Sequence, residues 1–314
     1  MMNWFPGWLD VYFRNYFWLV ASLLIIAGVI LIIMKMIPAT RSASEKVWLS
    51  YGPWLFMAPI VFLVLGFGSK IFIGALLILS ILCVKEFSKA TGLYEDWGFI
   101  IAIYCGLIGL YLSAFVQWYG LFMAMPVYSI VVILMIPALR NDYHNMIQKI
   151  GLSTIALIYL GWFLAHLGFL SYHPYGLAYL LFLIIGTELN DAAAYTTGKL
   201  FGKNPLVSQI SPKKTVEGAL GSLVITSLYV YCVRQWLPGF SAFPLVLSVI
   251  ILWIGGTMGD LVMSCVKRDI GIKDMGALIP GHGGILDRVD SLLFVSPLFF
   301  HMVSHYIKFP GGLE

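Results

Sequence analysis

Apolar runs of about the length that spans a bilayer recur along this chain of 314 residues and are separated by short polar segments. Soluble domains carry about 25% charged residues, whereas this chain has 11% charged and 60% hydrophobic residues. So few charges cannot cover the surface of a water-soluble globule of this size. The sequence therefore predicts an all-α, polytopic integral membrane protein.

The apolar runs predict ten helices, of which about eight to ten cross the membrane. Several are shorter than the roughly 20 residues that span a bilayer upright, so 53–67 and 71–84 form either two spans or one re-entrant hairpin. We divide the chain into an N-terminal transmembrane region, 1–150, and a C-terminal catalytic transmembrane region, 151–314. The predicted helices lie near 16–37, 53–67, 71–84, 98–116, 120–139, 151–170, 175–190, 216–236, 241–263 and 290–307.

Lysine and arginine are distributed unevenly between the two sides of the predicted membrane. With ten spans and the N-terminus outside, 15 of the 19 fall in or beside the inside loops. Cytoplasmic loops carry such an excess, and the basic residues form no stripe that would indicate nucleic-acid binding. The four cysteines lack C-x-x-C spacing and are predicted to be buried apolar side chains.

Acidic residues concentrate in the C-terminal third, with eight of the 15 between positions 188 and 290. Nearly all of these lie in three segments on the inside face: 187–204, 211–218 and 259–291. Carboxylates at a membrane surface suit Mg²⁺, which takes one or two carboxylates together with substrate phosphates. Neighbouring lysines and arginines suit phosphate oxygens, and glycines let backbone N–H groups approach an anion. The mixture indicates phosphoryl or nucleotidyl transfer.

Individual residues in these segments also have structural interpretations. Gly255 and Gly259 have the spacing of closely packed helices, whereas Asp260, an acid at the end of an apolar run, favours a functional role. Asp287 and Asp290 share a helix face and either act in a site or complement the helix dipole. Thr215 is also a candidate helix cap. Lys213 and Lys214 are candidate phosphate ligands or ordinary positive-inside residues, and His282 taken alone favours a hydrogen-bonding role in a loop.

The third segment resembles the signature of the phosphatidate cytidylyltransferase (CDP-diacylglycerol synthase) family. The matching positions are Ser264, Lys267-Arg268, Lys273-Asp274, His282-Gly283-Gly284 and Asp287-Arg288 with Asp290. The second segment resembles the family's S-P-K-K-T-x-E-G loop, with Val216 where Trp is frequent. The first resembles D-x-x-A-Y-x-x-G, at Asp191, Ala194, Tyr195 and Gly198. The likeness covers about residues 185–295.

The resemblance implies an all-helical, usually dimeric membrane enzyme that joins CTP and phosphatidate into CDP-diacylglycerol for phospholipid synthesis and releases pyrophosphate. It implies Mg²⁺ at Asp260 and Asp287, with K⁺ as a possible second ion, and a location in the bacterial inner membrane with the site facing the cytosol. Lys267 and Arg268 are the further catalytic candidates. Substrate binding is assigned to Lys213, Lys214, Thr215, Lys273, His282, Gly283, Gly284, Arg288, Asp191 and Asp274.

Other functions remain open at this stage. One is a CTP-dependent transferase for another membrane lipid, such as a polyprenol or an ether lipid, because the motifs do not identify the lipid substrate. A less favoured one is a transporter, which would place ionisable groups near the bilayer midplane. Here the acids lie at the inside ends of helices beside lysine and arginine.

Overall fold

The computed structural model describes residues 7–38, 40–276, 283–307 and 309, and these are helical apart from one short β-hairpin. The hairpin pairs β1 (Pro205–Val207) with β2 (Ser211–Thr215), antiparallel. The helices are α1 (Val11–Met36), α2 (Arg41–Tyr51), α3 (Trp54–Gly66), α4 (Ser69–Ala90), α5 (Trp97–Phe115), α6 (Tyr119–Arg140), α7 (Met146–Ile155), α8 (Phe163–Leu170), α9 (Gly176–Phe201), α10 (Val216–Val233), α11 (Ala242–Ile250), α12 (Gly256–Asp269) and α13 (Leu286–Tyr306).

Eight helical segments of the described chain are long and apolar enough to cross a bilayer. Two of them are composite, because π-helical turns at Ala156–Trp162 and Ile251–Gly255 join α7 to α8 and α11 to α12. Outward-facing side chains such as Ile25, Ile78 and Val224 are exposed, which suits a lipid surround. The protein is thus an all-α integral membrane protein, as the composition predicts. These eight candidate spans are α1, α4, α5, α6, α7–α8, α9, α10 with the turn after it, and α11–α12.

The segment with two alternatives, 53–84, runs through the bundle. α2 and α3 together lie antiparallel to α1: Ser44 donates to the Leu31 carbonyl at 2.8 Å, and Tyr51 donates to the Leu24 carbonyl at 2.8 Å. Further along, a Cβ on Gly7 would lie 3.2 Å from the Gly66 Cα. The pair therefore follows α1 from one end of the bundle to the other, and α4 starts back from the Gly68 turn.

One hydrophobic core joins the N-terminal and C-terminal regions. α8 packs between α4, α5 and α13, and large side chains such as Tyr111, Phe122 and Phe299 are fully buried there. Within this core the Ser80 hydroxyl lies 2.6 Å from the Tyr111 hydroxyl and donates to the Leu160 carbonyl at 3.0 Å. The helices that carry the acidic segments are consequently braced by the first half of the chain.

The loops assigned to the outside meet at one end of the bundle. Ser69 donates to the Ser171 carbonyl at 2.8 Å, and Tyr179 donates to the Pro238 carbonyl. The three acidic segments meet at the opposite end, as the predicted topology requires.

Of the four cysteines only Cys83 is buried. The prediction was wrong for Cys105, Cys232 and Cys265, which are exposed.

Six predicted helix boundaries need correction by four residues or more. α1 begins at Val11, α4 ends at Ala90 and α7 begins at Met146, and the other three lie at the acidic segments. α9 continues to Phe201 rather than ending near 190, because polar residues such as Asn190 find partners in the bundle and do not break the helix. α12 extends to Asp269 and α13 begins at Leu286. Asp191, Asp260 and Asp287 therefore all lie on helices. α2 and the β-hairpin were not predicted, since both are short and have few apolar residues.

Candidate functional site

Close helix packing brings the acidic segments together at one end of the bundle. A Cβ on Gly218 in α10 would lie 2.7 Å from the Ala194 carbonyl oxygen in α9. A Cβ on Gly259 in α12 would lie 2.7 Å from the Asp290 carbonyl oxygen in α13. The small side chains at 255 and 259 thus serve close packing, as their spacing predicts. This contact puts Asp260 directly beside the start of α13.

Asp260 forms an ion pair with Lys214 of the β-hairpin. The Lys214 Nζ lies 2.6 Å from Asp260 Oδ2, and the Ser264 hydroxyl donates to Asp260 Oδ1 at 3.2 Å. About a third of the Asp260 side chain is exposed, so this carboxylate faces the opening of the site. The pair links the second acidic segment to the third.

Asp287 is held more completely. Lys267 Nζ lies 2.8 Å from Asp287 Oδ1, and only 12% of the lysine and 10% of the aspartate side chain are exposed. The backbone N–H groups of Met275 and Gly284 donate to Asp287 Oδ2 at 2.9 and 3.1 Å. One carboxylate thereby connects the end of α12, the following loop and the first turn of α13.

A second group of acids lies deeper in the bundle. Asp191 and Asp290 lie within electrostatic range of Asp260, and Glu188 lies within range of Asp191, Asp290 and Arg288. Asn190 donates to Asp191 Oδ1 at 3.4 Å, and its own Oδ1 accepts from Thr226 at 3.3 Å. The site therefore consists of the partly exposed Lys214–Asp260 pair and the more enclosed Lys267–Asp287 pair, with Glu188, Asp191 and Asp290 close to them.

The other predicted residues lie at the rim or support it. Lys213, Arg268, Lys273 and Asp274 are exposed, and Arg268 donates to the Ile210 and Ile272 carbonyls at 3.3 and 3.2 Å. Thr215 acts as the cap of α10, since its hydroxyl accepts from the Gly218 N–H at 3.1 Å. Gly283 has φ +80°, a conformation that favours glycine. His282 lies outside the described residues.

Two residues beside the site had no assigned role in the sequence analysis. Glu86 of α4 accepts N–H groups from the start of α13. An acid just beyond the end of an apolar run is the signal that could have found it. Tyr159, in the π-helical turn, donates at 3.4 Å to the carbonyls of Gly259 and Asp290, and no sequence pattern marks it.

The carboxylates of Asp260 and Asp287 are chemically suited to a divalent cation. In both ion pairs a lysine ammonium occupies the cation position 2.6–2.8 Å from a carboxylate oxygen. Among the described residues, no group of three His, Cys, Asp or Glu side chains converges tightly enough to hold a metal ion unaided. Two carboxylates are within the number that usually holds Mg²⁺, which completes its shell with water and substrate phosphates.

Comparison with known proteins identifies similar chains. Phosphatidate cytidylyltransferases of Staphylococcus haemolyticus and Bacillus subtilis are 42% and 38% identical over 161 and 160 residues, which cover 51% and 50% of this chain and 60% and 59% of theirs. YnbB of Escherichia coli strain K12, an uncharacterized protein, is 38% identical over 164 residues, 49% of this chain and 55% of its own length. The alignments thus span less than two thirds of these curated relatives. The model of the Cytidylyltransferase family matches residues 48–306, which is most of the chain, and the protein therefore belongs to the cytidylyltransferase family.

Proposed function

We propose that this protein transfers the cytidylyl group from CTP to phosphatidate and so forms CDP-diacylglycerol and pyrophosphate for phospholipid synthesis. The observation that carries the proposal is the meeting of the Lys214–Asp260 and Lys267–Asp287 pairs at one end of a membrane-spanning bundle. Family membership supports it, as does the name phosphatidate cytidylyltransferase of several relatives.

The proposed reaction needs alignment more than activation. A phosphate oxygen of phosphatidate, already anionic, attacks the α-phosphorus of CTP, and the bond to the β-phosphate oxygen breaks as pyrophosphate leaves. The protein must bring two mutually repelling anions together and hold them in line. We assign phosphate binding to Lys213, Lys214, Lys267, Arg268 and Lys273, and further substrate contacts or support to Thr215, Arg288, Asp191, Asp274, His282, Gly283 and Gly284.

Asp260 and Asp287 are the proposed Mg²⁺ ligands. A divalent cation bound there would neutralise phosphate charge between the two substrates. We also propose K⁺ as a second ion. Turnover should then be lower when Na⁺ replaces K⁺ in the assay.

We place the site on the cytosolic side of a bacterial inner membrane, where CTP is available. The charge distribution of the loops supports this orientation. Lys213 is exposed at the rim, so a Lys213→Cys variant, made in a background without the native cysteines, tests it. A membrane-impermeant thiol reagent should label inside-out vesicles and leave right-side-out vesicles unlabelled. The reverse pattern rejects the orientation.

The decisive experiment is an assay of the purified protein in detergent. Protein, CTP, Mg²⁺ and phosphatidate should yield pyrophosphate and a CDP-lipid in equal amounts, and Asp260→Asn should abolish both while the protein remains folded. Parallel reactions with a polyprenyl phosphate and an ether-linked phosphatidate analogue identify the lipid. Product from these lipids alone would favour the other-lipid transferase. Solute flux into vesicles without nucleotide, and no product with any lipid, would favour a transporter.

The family resemblance also implies a homodimer, which we propose as the working assembly. Mass measurement of the protein in detergent, corrected for bound detergent, should give twice 35.0 kDa. A single-chain mass with full activity would reject the dimer as a requirement.

A further inference from the structure

The carboxylate of Glu86 lies where α4 meets the first turn of α13. The residue is 8% exposed. Its Oε1 accepts the Ile285 N–H at 3.1 Å, and its Oε2 accepts the Leu286 N–H at 2.9 Å. The first N–H groups of a helix have no partner within the helix, and a negative charge there is favoured by the helix dipole. An acid from the N-terminal region therefore caps the helix that carries Asp287.

Two glycines make room for this carboxylate. A Cβ on Gly276 would lie 2.5 Å from Glu86 Oε1 and would otherwise meet only Glu86 atoms among its nearest neighbours. A Cβ on Gly284 would lie 2.5 Å from Glu86 Oε2 and 2.9 Å from the Gly276 backbone nitrogen. The backbone on both sides is thus packed directly onto one side chain.

The same backbone also holds Asp287. Gly284 donates its N–H to Asp287 Oδ2 at 3.1 Å, and the next two N–H groups along the chain point to Glu86. Movement of Glu86 would consequently shift the first turn of α13 and, with it, the carboxylate that pairs with Lys267. Because this backbone encloses Glu86, its carboxylate is not available to contact the substrates directly.

We propose that Glu86 is a positioning residue of the cytidylyl-transfer site, which fixes the first turn of α13 so that Asp287 meets Lys267 and the substrates in register. This inference rests on the proposed function. A small displacement of reacting groups costs as much as 10²-fold in rate. Glu86→Gln keeps the shape of the side chain but turns an NH₂ group toward a backbone N–H, so that one of the two hydrogen bonds is lost.

The first test compares Glu86→Gln with Glu95→Gln, which alters an exposed acid near the same end of α4. In the full-length protein, Glu86→Gln should lower kcat by up to about 10²-fold and raise the Mg²⁺ concentration for half-maximal activity. The KM for CTP should change less than kcat, and Glu95→Gln should match the wild type. Wild-type kcat and Mg²⁺ activation in Glu86→Gln would overturn the proposal, whatever the thermal stability.

The second test does not depend on activity. Hydrogen exchange of the peptide that contains Gly284–Asp290 should be faster in Glu86→Gln than in the wild type and unchanged in Glu95→Gln. Gly276→Ala should lower the apparent Tm in the wild type but not further in Glu86→Ala, because the clash needs the carboxylate. Unchanged exchange, or additive Tm losses, would reject the positioning role. If the wild type forms no CDP-lipid, the proposed function is rejected, and the hydrogen-exchange and Tm results still test whether Glu86 positions α13.

Discussion

Asp287→Asn should destabilise the protein much more than Asp260→Asn, although both aspartates pair with a lysine. At Asp287 the substitution removes one partner of an ion pair whose side chains are 12% and 10% exposed. Loss of one member of a buried pair costs about 3–5 kcal/mol, because the other charge stays buried without compensation. Both backbone N–H groups donate to the same oxygen, Oδ2, so an asparagine oxygen at that position keeps both hydrogen bonds while its NH₂ group faces Lys267, and we expect about 3 kcal/mol.

At Asp260 the same change should cost far less. The Lys214 and Asp260 side chains are 24% and 33% exposed, and exposed pairs contribute only about 0.2–1 kcal/mol. One kcal/mol corresponds to about 2–4 °C in Tm for domains of 150–250 residues. Asp287→Asn should thus lower the apparent Tm by roughly 6–12 °C and Asp260→Asn by at most about 4 °C.

The assay is thermal unfolding in detergent at one fixed scan rate, with Glu95→Gln as the neutral control. Lys267→Met combined with Asp287→Asn should restore part of the loss, since the pair is then replaced as a whole. We expect a coupling of about 1–3 kcal/mol between the two sites. Equal Tm changes for Asp260→Asn and Asp287→Asn, or strictly additive losses in the double variant, would refute this account of the site.

Three further predictions follow from single contacts. Gly259→Ala should lower stability by about 1–3 kcal/mol in thermal unfolding, because the new Cβ would lie 2.7 Å from the Asp290 carbonyl oxygen. Gly74→Ala is the control: its Cβ would meet nothing within 4 Å, and the change should be neutral. Burial acts to raise the pKa of Asp96, but hydrogen bonds from Lys149 and Arg140 outweigh it and hold the pKa below its ordinary value. The resulting stabilisation is present at neutral pH and is lost as the pH falls below about 4. The Tm difference between the wild type and Asp96→Asn should therefore shrink on acidification, and a constant difference would contradict the pairing. CTP binding measured by calorimetry should require Mg²⁺, and equal affinity in EDTA would remove the metal from the binding step.

The periodic apolar pattern predicted nearly all of the long helices, because burial in lipid or protein dominates their composition. It failed where a helix continued past its apolar part. α9 runs on to Phe201, and within the bundle Asn190 donates to Asp191 and accepts from Thr226. A hydropathy pattern records how apolar a segment is, and it does not record which polar side chains will find partners in the bundle.

The motifs likewise identified the charged residues of the site without their pairing. The sequence analysis assigned Lys214 and Lys267 to phosphates and Asp260 and Asp287 to a metal, yet the structure pairs each lysine with one of these aspartates. Glu86 contacts residues 199 and 200 positions away in the sequence. Such contacts depend on how distant helices pack, and local spacing contains no measure of that.

The pairing has a consequence for the order of events in the proposed reaction. Five carboxylates of the site, those of Glu188, Asp191, Asp260, Asp287 and Asp290, are accompanied by three cations, those of Lys214, Lys267 and Arg288. Both lysines are engaged by carboxylates in this arrangement. A divalent cation at Asp260 and Asp287 would compete with the two ammonium groups for these carboxylates and free the lysines to turn toward phosphate oxygens. In this proposal the lysines would serve the site twice, as placeholders for the metal before it binds and as phosphate ligands afterwards, which predicts that the metal enters before or with the nucleotide.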